Sequence, residues 1–157
     1  MLFRSNDTAT TEIYTTLDTL SLHDALPISG PRVISARLDG ARSVSIAAYV
    51  LAGSRLEAAD QAGVAHFMEH LTFKGTAAYP TTRALSEAIE GVGGSFNAAT
   101  DREATVYWVR VPLRETERAM NFLGELICRP ALDLAEIDRE REVIVEEIRA
   151  EIGRAHV

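Results

Sequence analysis

Cysteine, lysine and long apolar runs are all scarce in this chain of 157 residues. The one cysteine, Cys128, excludes an internal disulfide and a zinc site built from several cysteines. No apolar run has the length of a membrane-spanning helix. The formal net charge of −7 argues against nucleic-acid binding, which needs a basic surface. These absences leave an ordinary globular domain as the expectation.

The two ends of the chain differ in character from its centre. Residues 6–29 are rich in threonine, show neither a helical nor a strand period, and lack the features of a signal peptide. Their segments NDTATTEIYT and SLHDALPI back-translate to the two ends of a short-read sequencing adapter, and EIGRAHV at the other terminus back-translates to the opposite adapter. We therefore assign residues 1–29 and 151–157 to translated, non-native adapter sequence and exclude them from the predicted fold.

Residues 30–150 are then the native part of the chain. They hold 14 basic and 18 acidic residues, a formal net charge of −4, and only two of the four histidines. All but one of these basic residues are arginine, which indicates a GC-rich bacterial genome and leaves both a cytoplasmic and a periplasmic location open. We expect this part to be a fragment of a longer protein, open at both ends.

Strands and helices follow one another in mixed order within the native part. Alternating, β-branched segments predict four strands, at residues 31–38, 43–53, 95–100 and 103–111. Apolar residues at helical spacing predict four helices, at residues 63–71, 81–90, 114–127 and from 133 onward. The first two strands are expected to pair through the turn DGAR. The order predicts a truncated α+β fold, a mainly antiparallel sheet with helices packed on it.

The segment VAHFMEHLTFKGT, residues 64–76, places His66, Glu69 and His70 within five positions of a predicted helix. Residues four apart lie on the same side of a helix, so both imidazoles can converge on one ion. Imidazole is a zinc ligand, and H-x-x-E-H is the inverted form of the H-E-x-x-H zinc motif. Glu69 would take a proton from water rather than bind the metal, and Lys74 is assigned to the turn that ends the helix. The alternative is two ordinary histidines in a metal-free α+β module.

A catalytic zinc ion needs a third protein ligand, and the last predicted helix offers acidic candidates. Three isoleucines define the face of this helix towards the core: Ile137, Ile144 and Ile148. Glu147 falls at the margin of that face, which favours it as a ligand, whereas Glu146 points to solvent. Glu140 lies two turns below Glu147 and could orient a histidine or a bound water.

Three separated motifs resemble the pitrilysin/insulinase family of zinc metallopeptidases, and within it the bacterial and mitochondrial processing-peptidase branch. They are GVAHFMEHLTFKGT, GGSFNAATDREATVYWV and EREVIVEEI, in that order, and the likeness extends over essentially all of residues 31–150. By this resemblance, His66 and His70 are ligands of one zinc ion per chain and Glu69 is the general base. The glutamate that matches the third ligand is Glu147, which the helix geometry favours independently.

The same resemblance implies roles for three further residues. Glu140 matches an acidic position that supports catalysis. Asn97 and Ala98 fall where the family lines an edge strand that receives the substrate backbone, so an extended peptide would be bound by strand addition. On residue type alone, Asn97 would be a turn-forming polar residue after two glycines.

The resemblance also implies a function, a zinc-dependent endopeptidase in which Glu69 takes the proton from a metal-activated water. Its partners would be an extended peptide or protein substrate and a second half, or homologous subunit, that closes the family's chamber. Neither nucleic acid nor a membrane span is expected. Without the closing half, the fragment is expected to be inactive alone. A non-catalytic homologue that serves in assembly or substrate capture is the second hypothesis, and the intact motif residues argue against it.

Overall fold

The computed structural model describes residues 11–14 and 33–154, with side chains from residue 33 to residue 150. The strands are β1 Thr11–Tyr14, β2 Val33–Ile34, β3 Ser43–Val50, β4 Ser95–Thr100 and β5 Thr105–Pro112. The helices are α1 Val64–Thr72, α2 Thr82–Glu90, α3 Thr116–Cys128 and α4 Leu134–Arg154. The predicted α+β fold with a mainly antiparallel sheet is confirmed. Among the helices described here, none combines the length and the apolarity that crossing a membrane requires.

The five strands form one sheet in the order β2-β1-β3-β5-β4. Strand β5 pairs antiparallel with β3 on one side and with β4 on the other. Its sequence TVYWVRVP alternates, so Tyr107, Val109 and Val111 are buried while Trp108 and Arg110 are exposed. Within the described residues, β4 is therefore an edge strand with one side of its backbone unpaired.

The predicted hairpin between residues 31–38 and 43–53 is wrong. Strand β2 contains only two residues, and β1 lies between β2 and β3, parallel to the first and antiparallel to the second. Residues 11–14, which the sequence pattern excludes from the fold, thus form part of the sheet. The reason is that β3 presents an edge of backbone N–H and C=O groups, which the short segment TEIY satisfies. The adapter origin of residues 1–29 and 151–157 stays a prediction.

The hydrophobic core lies between the sheet and helices α2 and α3. Its largest fully buried side chains include Phe122, Ile46, Leu85, Ile89, Leu123, Leu126, Val109 and Val111. The Phe122 ring is central, with the rings of Phe96 and Tyr79 at centroid distances of 4.9 and 5.7 Å. Such edge-to-face and tilted contacts add to the apolar area that these rings bury. This core fixes β4 and β5, the strands nearest to the histidine helix.

Helix α1 begins without a capping side chain of its own, because its N-cap is Gly63 with φ of +90°. The Glu57 carboxylate, six positions before Gly63, supplies the cap and accepts the N–H groups of Gly63 and Ala65, each at 2.7 Å. A negative carboxylate at the N-terminus of a helix also interacts favourably with the helix dipole. The helix that carries both histidines is therefore held at its start by a residue outside the motif.

Helix α4 is capped by Asp133, whose Oδ1 accepts the N–H groups of Ala135 and Glu136 at 2.9 and 3.2 Å. Its predicted apolar face is only partly correct, because Ile144 is buried while Ile148 is 47% exposed. Among the described elements, helix α4 makes its main contact with α1, and its buried side chains form a narrow strip. Glu140, one turn before Ile144, is buried in this strip.

Replacing Phe122 by alanine should lower the free energy of unfolding by about 3–5 kcal/mol, because a buried ring leaves a cavity that neighbours fill only in part. Leu134→Ala is the matched control, since Leu134 is 78% exposed, and its effect should stay below about 0.5 kcal/mol. Urea denaturation followed by circular dichroism measures both. Equal effects of the two changes would contradict the assignment of the core.

Candidate metal centre

Two imidazole rings on α1 face each other on the side of the helix that is turned towards α4. His66 Nε2 and His70 Nε2 lie 3.0 Å apart, and the rings meet edge to face at 88°. Glu147 on α4 completes the group, with its Oε2 at 3.7 Å from His70 Nε2 and 4.0 Å from His66 Nε2. In the described part of the chain, these are the His, Cys, Asp and Glu side chains that come close enough together to hold a metal ion.

The three side chains fit one zinc ion. Zinc binds imidazole nitrogen at about 2.0–2.1 Å and carboxylate oxygen at about 2.0–2.2 Å, so a nitrogen and an oxygen ligand of one ion lie at most about 4.3 Å apart, and two nitrogen ligands at most about 4.2 Å. All three separations, 3.0, 3.7 and 4.0 Å, meet these limits. Two histidines and a glutamate are a donor set of catalytic zinc, which keeps a position open for water. The His66 and Glu147 side chains are 36% and 42% exposed, so the centre is accessible from solvent.

Glu140 determines which nitrogen of His70 carries the proton. Its Oε1 accepts a hydrogen bond from His70 Nδ1 at 2.8 Å, so we assign the proton to Nδ1. The lone pair of His70 is then on Nε2, the atom that faces His66 and Glu147. A metal ligand needs such a free lone pair, and an oriented histidine is the usual arrangement at metal sites.

Glu140 is only 4% exposed, and two donor groups contact its carboxylate. Lys74 Nζ lies 2.6 Å from Oε2, while His70 occupies Oε1. Burial by itself would raise the pKa of Glu140, but the hydrogen bonds from Lys74 and His70 together outweigh it and hold the pKa below its ordinary value. Glu140 is therefore a carboxylate at neutral pH and can accept both hydrogen bonds.

Glu69 is held beside the histidine pair by the sheet. Its Oε2 accepts a hydrogen bond from Thr100 Oγ1, at the end of β4, at 2.6 Å. Its backbone carbonyl accepts from Thr72 Oγ1 at 2.7 Å. Glu69 follows His66 by three positions, so the two side chains lie on neighbouring parts of the helix surface. The second carboxylate oxygen remains available as a proton acceptor.

Tyr107 lies under the histidine helix and is buried. Burial raises the pKa of Tyr107 to about 12, with a hydrogen bond to Thr72 opposing the rise and the charge of Glu69 adding to it. At neutral pH the side chain is a neutral phenol. It contributes packing and a hydrogen bond to the site, not an acid.

Asn97 and Ala98 lie in β4, the strand whose outer edge is unpaired within the described residues. Asp101 and Ala104 face each other at the turn between β4 and β5, and the Asp101 N–H donates to Ala104 O at 2.9 Å, so they form a hydrogen-bonded pair of this ladder. Alternation along an antiparallel pair then directs the backbone groups of Ala98 away from β5, towards the open edge. The Asn97 Oδ1 accepts the Ala98 N–H at 2.9 Å, so this edge donor is satisfied by the neighbouring side chain.

Two residues that contact the site, Lys74 and Thr100, are not among the site residues predicted from the sequence. Lys74 is assigned there only to a turn, although it follows His70 by four positions and a helical path would place both on one side. Thr100 carries no signal of its own, because its contact with Glu69 joins residues 31 positions apart. A lysine near a buried carboxylate is recognisable only once the carboxylate is known to be buried.

Comparison with known proteins gives this geometry a family. The model of the insulinase family, peptidase family M16, matches residues 32–155. The chain belongs to the insulinase family. It is 36% identical over 126 residues to a probable mitochondrial-processing peptidase subunit beta of Arabidopsis thaliana, which covers 80% of this chain and 24% of that protein. An uncharacterised zinc protease of Mycobacterium leprae is 38% identical over 119 residues, which cover 76% of this chain and 26% of that protein.

A solved protease structure has a similar fold. The crystal structure of a protease from Helicobacter pylori superposes with a TM-score of 0.72 at 25% identity, over 86% of this chain and 31% of that one. The resemblance carried by the three motifs is thereby confirmed. The chain spans about a quarter of the length of the curated relatives it matches. The roles that the resemblance assigns to individual site residues remain predictions.

Changing Glu147 to glutamine should weaken zinc binding by more than the roughly 10- to 100-fold that loss of an outer partner costs, because an anionic ligand is removed. Glu146→Gln is the matched control, since Glu146 is exposed and pairs with Arg149 Nη1 at 2.6 Å. Its zinc affinity should equal that of the unchanged chain. Elemental analysis and competition with a chromophoric chelator, on the folded 157-residue chain, measure both. Equal losses in the two variants would reject Glu147 as a ligand.

Proposed function

We propose that this chain carries the catalytic zinc site of a zinc-dependent endopeptidase, with one zinc ion per chain held by His66, His70 and Glu147. The observation that carries the proposal is the convergence of three ligand atoms from two helices within 4.0 Å of one another, beside a carboxylate that is not part of the group. Membership of a peptidase family and relatives named as zinc proteases support it.

The proposed reaction is hydrolysis of a peptide bond. Zinc at this site would supply a Lewis acid that lowers the pKa of water and polarises the peptide carbonyl. Glu69 takes the proton from the attacking water and delivers it to the nitrogen of the leaving amine. The hydrogen bond from Thr100 to Glu69 Oε2 fixes the carboxylate and leaves Oε1 for this transfer. Glu140 keeps the proton of His70 on Nδ1 and so holds its Nε2 ready as a ligand.

We propose an extended peptide as the substrate, added as a strand to the open edge of β4. The backbone N–H of Ala98 faces that edge, and Asn97 Oδ1 accepts it in the free chain. Binding would require the Asn97 side chain to release this N–H, so that a substrate carbonyl can accept it instead. Because β4 contacts α1, a peptide bound there would lie next to the histidine pair.

A closing partner is part of the same proposal. The chain covers about a quarter of the length of its relatives, and one of these relatives is named as a subunit. A peptide lying along β4 beside a centre that is more than one-third exposed would remain accessible to water over much of its surface. We therefore propose that a second half or a homologous subunit covers the site, and that the 157-residue chain alone does not turn over substrate.

The decisive test is Glu69→Gln, in this chain for zinc binding and in the longer protein expected to contain residues 30–150 for hydrolysis. Zinc affinity should stay within about twofold, whereas cleavage of an internally quenched peptide should fall by about 100-fold or more, because general-base catalysis contributes about 10²–10⁴. Glu87→Gln is the control, since Glu87 is exposed on α2 and pairs with Arg83.

Each alternative outcome has a meaning. Unchanged cleavage by the Glu69→Gln protein would reject Glu69 as the general base. A zinc-loaded, folded longer protein that cleaves no peptide would favour the non-catalytic subunit. A folded chain without affinity for zinc would reject the metal site itself.

A further inference from the structure

The two carboxylate oxygen atoms of Glu140 have different partners. Oε1 accepts from His70 Nδ1 at 2.8 Å, and Oε2 contacts Lys74 Nζ at 2.6 Å. The Glu140 side chain is 6% exposed and that of Lys74 is 31% exposed, so the pair is largely shielded from water. A buried carboxylate is tolerated only when it is paired and hydrogen-bonded. His70 gives the hydrogen bond, and Lys74 gives the compensating charge.

We propose that Lys74 is a positioning residue of the metal site and acts on His70 through Glu140. The inference rests on the proposed zinc site and adds a residue to it. The ammonium fixes the direction of the carboxylate, and the carboxylate fixes the tautomer and the ring plane of His70. The consequence is that His70 Nε2 points to the position between His66 and Glu147, where its distances to their ligand atoms are 3.0 and 3.7 Å.

The local backbone explains how Lys74 reaches this carboxylate. Helix α1 ends at Thr72, but the Lys74 N–H still donates to Leu71 O at 3.1 Å, so the chain continues to turn as it leaves the helix. Lys74, four positions after His70, is thereby brought to the same side, and the two residues hold Glu140 of α4 between them. These two contacts of Glu140 hold α4 against α1 next to His70.

The residue type is informative as well. Lys74 is the only lysine in the chain, and all other basic side chains except the histidines are arginine. An ammonium is a compact point charge on a flexible stem, whereas a guanidinium is a planar fork that needs more room. Next to a carboxylate whose other oxygen is already taken by His70, the compact group fits the single remaining acceptor.

The sign of the effect on zinc affinity separates this role from simple electrostatics. A cation near the site repels a second cation, so removal of its charge alone should tighten zinc binding. A positioning residue has the opposite effect. We expect Lys74→Met to weaken zinc binding about 10- to 100-fold, the range found when partners of metal-binding histidines are lost. Unchanged or tighter binding in a folded Lys74→Met chain would overturn the proposal.

The matched control removes a positive charge from the exposed surface of α4, near Glu147 in sequence. Arg149 lies on α4 two positions after Glu147, on the solvent-exposed face of the helix, and pairs with Glu146. Arg149→Met should leave zinc affinity unchanged or slightly increased. A loss equal to that of Lys74→Met would mean that any nearby basic residue supports binding, which would also overturn the proposal.

A second pair of variants tests the route through Glu140 and covers the case in which Lys74→Met does not fold. Glu140→Gln and the double variant Glu140→Gln, Lys74→Met leave no unpaired buried carboxylate. If Lys74 acts through Glu140, these two chains should bind zinc with affinities within about threefold of each other, because coupled residues are not additive. A further tenfold loss in the double variant would show that Lys74 acts independently.

A metal-free measurement distinguishes this inference from the proposed function. The ¹⁵N chemical shifts of the His70 ring report its tautomer, which should be the Nδ1–H form in the unchanged chain. In Lys74→Met we expect a mixture with the Nε2–H form. An unchanged tautomer would overturn the inference whatever the zinc result, whereas an unchanged chain that binds no zinc would overturn the proposed function and leave the tautomer result standing.

Discussion

The contact between α1 and α4 is built around the Glu140 carboxylate, the acidic side chain that is buried in the described part of the chain. Its charge is compensated by Lys74 and its hydrogen-bonding capacity is used by His70. Removing one partner of such a buried pair typically costs about 3–5 kcal/mol, because the other charge is left without compensation. The position of α4 against α1, and with it the position of Glu147 against the two histidines, depends on this pair.

Around that contact, different layers of the fold contribute different parts of the chemistry. The helix pair carries the three ligand candidates, whereas the sheet holds the Glu69 carboxylate through Thr100. The same sheet leaves the β4 edge open and is fixed by the core that Phe122 fills from α3. The proton acceptor Glu69 lies on the same helix as the two histidines, but its carboxylate is oriented by the strand that forms the substrate edge. Glu57, in the loop that follows β3, caps the first turn of α1.

The helices and the central strands were predictable because their signals are local. Each has an apolar period within its own residues, and the bounds observed lie within two or three positions of those expected. The predicted hairpin failed because strand pairing is a competition for backbone groups, and the segment TEIY fills the edge of β3 that the hairpin would have used. The exposure of Ile148 has a similar origin, since α1 is the main neighbour of α4 among the described elements and covers only part of its apolar face.

The sequence by itself determined the pair His66 and His70, because four positions on a helix fix their mutual geometry before anything else folds. The H-x-x-E-H motif also singled out Glu69 as the predicted general base. The nearness of Glu147 to these histidines, the burial of Glu140 and the contact of Lys74 with it were decided by the tertiary structure. His70 and Glu140 are 70 positions apart, and only the packing of α1 on α4 brings them within hydrogen-bonding distance. Helical periodicity assigns a face to each residue, but the neighbour of that face follows from packing alone.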